Sequence, residues 1–362
     1  MTMTNLFNTS MTRKEICERV GDISQLCDAR RRMYVDGKSG GVETIEVTTG
    51  SGFAFTVLPS RGLDISAAAF RGEPIAWRSS VGDVSPAFFE PEGYGWLRSF
   101  FGGLLTTCGM TYSSHPCEDE GEQLGLHGRI SNVPAEDVGI VKTWDGDSYR
   151  ITVSGTVRET AVFGHKLVLS RSITTGLGSS KLLIRDSIEN AGFTRSPLMM
   201  LYHVNIGWPI VSEHSRLISP TVSVKPADNE ARREIDLWST FTAPQDAYKE
   251  RVYFHEMEED VDGMVAVALV NERTERGVYL SFPKKEFPHF VQWKMMSKGE
   301  YVVGIEPGNI TGHRAHMRKE GTLEFIEPGE RRCFNLEIGV LDGSEAIREI
   351  TERIKRPKTG NG

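Results

Sequence analysis

Polar and apolar residues alternate with a period of two over most of this chain. Residues 42–49 read Val-Glu-Thr-Ile-Glu-Val-Thr-Thr, Gly50-Ser51-Gly52 turns the chain, and residues 53–58 read Phe-Ala-Phe-Thr-Val-Leu. Two alternating runs joined by a glycine-rich turn predict a β-hairpin. Further strand patterns fall at 63–70, 149–157, 165–174, 181–189, 198–206, 264–270, 276–282, 288–294, 301–306, 322–326 and 333–340. Turn signals separate them, among them Gly176-Leu-Gly178, Asn190-Ala-Gly192, Glu306-Pro-Gly308 and Glu327-Pro-Gly329. Strands do not alternate with helical stretches of 10–15 residues, which argues against a doubly wound α/β sheet. The pattern predicts an all-β chain built as a large antiparallel sandwich, organised as one domain over residues 1–362.

The period changes only at the ends and in one internal stretch. Residues 1–21 form an expected N-terminal helical segment, because Thr12-Arg-Lys-Glu15 spells a capping box and Gly21 offers a stop. Residues 344–356 form an expected C-terminal helix, with Ile347, Ile350 and Ile354 on one face and Pro357 beyond its end. Residues 78–134 are irregular and rich in Gly, Pro and aromatics, including Phe88, Phe89, Tyr94, Trp96, Phe100 and Phe101. A long irregular stretch in a compact protein is functional or disordered, and this aromatic content argues against disorder. The segment is expected to fold over a sheet and wall one side of a pocket.

Composition narrows the function classes. The net charge is −7, and the densest basic run is Arg30-Arg31-Arg32, so a nucleic-acid footprint is not expected. No apolar run approaches the ~20 residues of a membrane span, and no secretory leader is legible, so a cytoplasmic setting without membrane partners is expected. Five scattered cysteines without a Cys-x-x-Cys fit reduced thiols. Dinucleotide, phosphate-loop, Gly-x-Ser-x-Gly and His-Glu-x-x-His motifs do not occur. The acidic run at 256–262 lacks calcium-loop spacing and reads as a solvated loop.

Three short segments carry the candidate chemistry. His127 sits in Gly125-Leu-His-Gly128-Arg129, where small neighbours permit close approach of the backbone. His203 follows an apolar run in Tyr202-His-Val-Asn205, and alternation places it on the face opposite Tyr202. Glu306 closes the strand 301–306 just before Pro307-Gly308, where partial desolvation would make it a base. Each also has a plain structural reading: a turn histidine, a hydrogen-bonded core histidine, an ion-paired strand-end glutamate. Two imidazoles and a carboxylate suit a reaction that only moves protons, such as opening and closing a sugar ring. Arg61 and Asp64 form a second polar cluster whose members either bind sugar hydroxyls or pair with each other. Trp77-Arg78 and Gln292-Trp293 join flat apolar faces to polar tips, as a sugar requires, although core packing accounts for the tryptophans equally well. Asn205 and Arg129 complete the candidate sugar contacts. His313 and His316 have i, i+3 spacing but lack a third ligand at recognisable spacing, so no metal site is expected.

In order, Leu126-His127-Gly128, Tyr202-His203-Val204-Asn205 and Gly304-Ile305-Glu306-Pro307 resemble the motifs of the aldose 1-epimerase (galactose mutarotase) superfamily. The runs Val57-Leu-Pro-Ser-Arg-Gly-Leu-Asp-Ile65 and Phe101-Gly-Gly-Leu-Leu-Thr-Thr-Cys-Gly109 resemble more closely an uncharacterised bacterial branch of it. The resemblance covers about residue 20 to about 340. It implies a galactose-mutarotase-like antiparallel β-supersandwich and a cofactor-independent isomerase acting on a small-molecule sugar, with no cofactor and no metal. By motif, His203 would be the acid on the ring oxygen, Glu306 the base on the anomeric hydroxyl, and His127 a substrate-orienting hydrogen bonder. Two departures stand out: the histidine strand reads His-Val-Asn-Ile-Gly-Trp, and the substrate-binding aspartate of the middle of the chain has no clear equivalent. The sequence leaves the oligomeric state open, with a homodimer among the options. It also keeps two alternatives in view, a non-catalytic sugar-binding protein and an isomerase acting at another carbon.

Overall fold

The computed structural model describes residues 4–7 and 9–355, so residues 1–3, 8, 356 and Pro357 of the expected terminal segments lie outside the described residues. Three antiparallel sheets organise the chain. The first has five strands, Asp28–Met33, Glu43–Thr48, Phe53–Leu58, Asp64–Phe70 and Glu73–Pro74 in sequence order. The second has eight, in the order Glu136–Asp145, Ser148–Thr160, Lys166–Gly176, Lys181–Asn190, Arg331–Asp342, Arg276–Pro283, Met264–Asn271 and Ser215–Ile218. The third has six, in the order Thr221–Pro226, Arg251–Met257, His289–Met296, Tyr301–Gly308, Leu201–Gly207 and Thr106–Cys108. This is the antiparallel, all-β architecture that the alternation implied.

One continuous apolar core lies between the sheets. Ile45 and Val57 enter it from the five-stranded sheet, Ile173 and Leu336 from the eight-stranded sheet, and Val204 and Ile305 from the six-stranded sheet. The long hairpins read cleanly from sequence because one side of each strand is buried. In Lys166–Gly176 and Lys181–Asn190, every second residue is buried and the others are not.

Several elements depart from the expectation. The N-terminal segment opens with a small hairpin, Thr4–Leu6 against Thr9–Met11, and its helix is only Arg13–Cys17. The Thr12–Glu15 capping box forms, but the helix ends four residues before Gly21. Arg30, Arg31 and Arg32 lie on a strand, and that strand is the sheet edge, where they pair with Asp28, Glu43 and Glu46. Charged residues blunt an exposed edge against further pairing, and the same charge hid the strand. The stretch 322–326 supplies only the strand Phe325–Ile326, preceded by the helix Arg314–Glu320. Helix Ser344–Lys355 packs Ile350 and Ile354 against Ala266, Ala268 and Leu341 as its spacing indicated.

A buried polar knot ties the three sheets together. Arg171 donates to Asp186 through Nε (2.9 Å) and Nη2 (2.7 Å) and to Asp64 through Nη1 (3.0 Å). Tyr202 donates its hydroxyl to Asp186, while Thr107 donates to Asp64 through its hydroxyl (2.6 Å) and backbone N–H (3.0 Å). Asp64 is thus paired internally, but with Arg171 and Thr107 and not with Arg61, the partner the sequence suggested. Removing one partner from a buried ion cluster strands the others, at about 3–5 kcal/mol. Arg171→Met should therefore lower the free energy of urea unfolding by about that much; a loss below ~1 kcal/mol would show that the knot is not what joins the sheets.

Candidate active site

Alternation on strand Leu201–Gly207 divides its side chains between two faces. Tyr202, Val204 and Ile206 enter the intersheet core. His203 and Asn205 point the other way, toward the aromatic segment. The register pairs Val204 with Ile305 and Asn205 with Gly304, which sets His203 opposite Glu306. His203 Nε2 lies 3.3 Å from Glu306 Oε1, and both residues are buried. On the neighbouring strand Trp293 pairs with Gly304 and Val291 with Glu306, so Trp293 stands on the same face. Gly304 makes room for the carboxyl: a Cβ there would come within 2.1 Å of Oε1.

Residues 78–134 cover this face as expected. Phe100 packs on His203 with ring centroids 5.4 Å apart, and Trp293 does so at 5.3 Å. Trp96 stacks on Phe100 at 4.5 Å and meets His127 at 4.7 Å. His127 and His203 stand edge to face, 5.6 Å apart. The three segments therefore converge. Gly125 and Gly128 serve backbone-to-backbone approach rather than approach to a ligand: a Cβ on Gly125 would meet the Pro91 carbonyl at 2.0 Å, and one on Gly128 the Gly109 carbonyl at 2.1 Å. His127 itself has φ 56°, a left-handed conformation that costs energy in a residue other than glycine. Its backbone is held by bonds to Ser114 and Gly109.

Burial sets the protonation of the cluster. It drives the Glu306 carboxyl well above the usual carboxylate range, and the charge of Glu250 adds to that. It pushes the His203 imidazole down to about 4, opposed by the Asn205 side chain. His127 is lowered by burial and then by the neighbouring His203. His127 Nδ1, His203 Nδ1, Asn205 Oδ1 and Glu306 Oε1 are buried without a hydrogen-bond partner among the described residues. Native interiors leave few polar atoms unpaired, and four of them gather in this one cluster.

Several candidates are elsewhere or otherwise engaged. Arg61 is fully buried and donates to the carbonyls of Ser131 (2.6 Å), Val84 (2.7 Å) and Ser99 (2.9 Å). It pins the covering segment from beneath instead of reaching a sugar. Arg78 turns away from Trp77 and bonds Asp83 and the Ser66 carbonyl. Gln292 lies on the core-facing side of its strand, bound to His255 and the Trp238 carbonyl. Arg129 borders a separate cavity of about 540 Å³ with Pro91, Cys117 and Leu124. His313 caps helix Arg314–Glu320 through its own ring, and no group of three metal-binding side chains occurs among the described residues. Glu250, absent from the sequence reading, accepts a 2.8 Å hydrogen bond from Trp293 Nε1 at the rim. Its place before strand Arg251–Met257 was hidden because that strand buries Arg251, Tyr253 and His255, a poor match to an apolar alternation.

The geometry makes a specific demand on Gly304. Gly304→Ala should leave the fold intact by circular dichroism and swing the Glu306 carboxyl away from His203, visible as loss of the 3.3 Å contact in the variant's crystal structure. A carboxyl left in place would contradict the tight fit.

The fold places the chain among known structures. It is similar to a provisionally named aldose 1-epimerase from Klebsiella pneumoniae, with 25% identity, a TM-score of 0.88, and coverage of 94% of this chain and 91% of that one. A galactose mutarotase-like protein from Clostridium acetobutylicum matches with 14% identity and a TM-score of 0.62, covering 88% and 99% of the two chains. Galactose 1-epimerase from Lactobacillus acidophilus matches with 11% identity and a TM-score of 0.58, again covering 88% and 99%. No curated protein matches the chain in sequence. No helix of the described residues is long and apolar enough to cross a membrane. A family model, "Domain of unknown function (DUF4432)", matches residues 39–340, and the chain belongs to that family, on a galactose-mutarotase-like fold.

Proposed function

We propose that this protein is a carbohydrate epimerase that interconverts the α and β anomers of a sugar or sugar derivative by opening and reclosing its ring. The observation that carries the reading is the buried pair His203 and Glu306, face to face across two strands at 3.3 Å. The hydroxyl and ring oxygens of a cyclic sugar share the anomeric carbon. The pair's labile proton first passes from the Glu306 carboxyl to His203; the Glu306 carboxylate then takes the hydroxyl proton while His203 gives its proton to the ring oxygen, and the bond from that oxygen to the anomeric carbon breaks. Rotation of the open-chain aldehyde and closure on its other face, with the roles reversed, gives the other anomer. His127 orients the ring, Trp293 and Phe100 pack on its C–H faces, and Glu250 meets a hydroxyl at the rim. The likeness to the Klebsiella protein supports the same chemistry.

Each general acid–base contribution is worth about 10²–10⁴-fold. Glu306→Gln and His203→Ala should each slow anomer exchange, read by NMR exchange spectroscopy on a panel of aldoses, by at least about 10²-fold with the fold retained. Exchange at the wild-type rate in both variants would sink the proposal. Binding of a sugar without accelerated exchange by the wild type would identify a sugar-binding protein instead. Deuterium entering at carbon would identify an isomerase acting at another position.

The pH dependence follows from burial. With the imidazole value lowered to about 4 and the carboxyl value raised, the pair holds one labile proton between those limits. Below the lower limit it gains a second proton and loses its base. Above the upper limit it loses its only proton and has no acid. The profile of kcat/KM should be a bell with its acid limb near pH 4 and its alkaline limb above the ordinary glutamate range. An acid limb near pH 6.5 would show that His203 titrates as an exposed imidazole.

A further inference from the structure

Strand Ser148–Thr160 sends alternate side chains into the intersheet core, among them Tyr149, Ile151, Val153 and Val157. Glu159 continues that series, so a carboxyl stands where the alternation calls for an apolar group, and the residue is only 3% exposed. It meets the chain just after strand Thr106–Cys108. Met110 donates its backbone N–H to Glu159 Oε2 (3.3 Å), and Thr111 donates its hydroxyl to Oε1 (3.0 Å). No other acceptor meets the Met110 N–H among the described residues. His165 Nε2 stands 3.6 Å from Oε1 on the outer side. Burial pushes the Glu159 carboxyl up to about 7, opposed by the bonds from Thr111 and Met110 and then by the charge of Arg129.

The segment that Glu159 holds also carries the backbone of the candidate site. The Gly109 N–H donates to the His127 carbonyl (3.0 Å), and the Gly109 carbonyl accepts from the Arg129 N–H (3.0 Å). The Met110 carbonyl accepts from the N–H of Met199 (2.7 Å), two residues before the strand that bears His203. We propose that Glu159 is a positioning residue for His127: it clamps residues 109–111 to the eight-stranded sheet and so fixes the loop on which His127 is mounted. His127 has φ 56°, and a residue other than glycine keeps that conformation only while its surroundings impose it. A buried N–H left without an acceptor is costly, so without the carboxyl residues 109–111 would shift toward a new partner. The two bonds from Gly109 to the His127 loop would move with them. Glu159 therefore acts through the backbone and not on the sugar. Its consequence for substrate binding rests on the epimerase reading; the clamp itself does not.

The test compares Glu159→Met, which keeps the volume and removes both acceptors, with Glu159→Gln. The glutamine oxygen can accept from Met110 and its nitrogen can donate to the Thr111 hydroxyl, so Glu159→Gln should behave as wild type. In Glu159→Met, amide hydrogen exchange should show lost protection at residues 109–111 and 125–129, with the strands of the eight-stranded sheet still protected. KM for anomer exchange should rise about 10-fold, with kcat changed much less. Unaltered exchange at 125–129 in folded Glu159→Met would overturn the proposal. So would protection lost evenly over all three sheets, the mark of a purely structural residue. Should Glu159→Met fail to fold, Thr111→Val removes only the 3.0 Å bond and carries the same exchange test. Wild-type protein that exchanges no anomers would defeat the epimerase reading, while lost protection at 125–129 in the variant would leave the clamp standing.

Discussion

The buried knot around Arg171 is the constraint on which the site depends. Its members come from all three sheets: Asp64 from the five-stranded, Arg171 and Asp186 from the eight-stranded, and Tyr202 and Thr107 from the six-stranded. An apolar core between sheets tolerates small slips, because dispersion has no direction. A guanidinium divided between two carboxylates does not, because each hydrogen bond has a fixed angle and the low-dielectric interior makes a lost partner costly. Tyr202 precedes His203, and Thr107 follows Thr106, which pairs with His203. The knot therefore holds the histidine strand from both sides, immediately beneath the candidate catalytic groups.

That strand performs two tasks with one periodicity. Its even-numbered residues Tyr202, Val204 and Ile206 join the core, while His203 and Asn205 face the covering segment. A register slip of one residue would exchange the faces, burying the imidazole in the core and sending the tyrosine to the site. Position 203 needs the knot and the core to hold that register, and it needs the aromatic cover to be dry. Both contributions are mechanical in origin and electrostatic in effect: they determine which forms of His203 and Glu306 are stable.

The sequence was most informative where burial is one-sided. The long hairpins of the eight-stranded sheet, the helix at 344–355 and the alternation around His203 were all legible, because a single period describes each. Strands Asp28–Met33 and Arg251–Met257 were not, since one is a charged edge and the other buries Arg251 and His255. Among site candidates, the residues that converged came from short motifs set by backbone geometry, such as Leu126-His127-Gly128. Arg61, Arg78 and Gln292 failed because residue type suggests hydrogen-bonding capacity without saying what uses it. In each case nearby carbonyls or side chains had already claimed the donors. Glu250 carried no sequence signal beyond being acidic, and only the fold brings it to Trp293.

Burial also sets the charge states between which the proposed proton transfer would run. An isolated ion in this setting would pay a desolvation cost, so the resting pair is driven to its uncharged forms. A carboxylic acid with an imidazole and a carboxylate with an imidazolium contain the same number of protons. Converting one into the other moves a proton over the 3.3 Å contact without changing the charge of the site. In the proposed reaction a bound sugar would offer both an acidic hydroxyl and a basic ring oxygen, so the proton given at one atom would be recovered from the other. The net charge would then stay constant through ring opening and closure, and the aromatic cover would need neither to admit a counter-ion nor to solvate one. A site lined by Trp96, Phe100 and Trp293 is suited to that circuit because the circuit returns every proton it borrows.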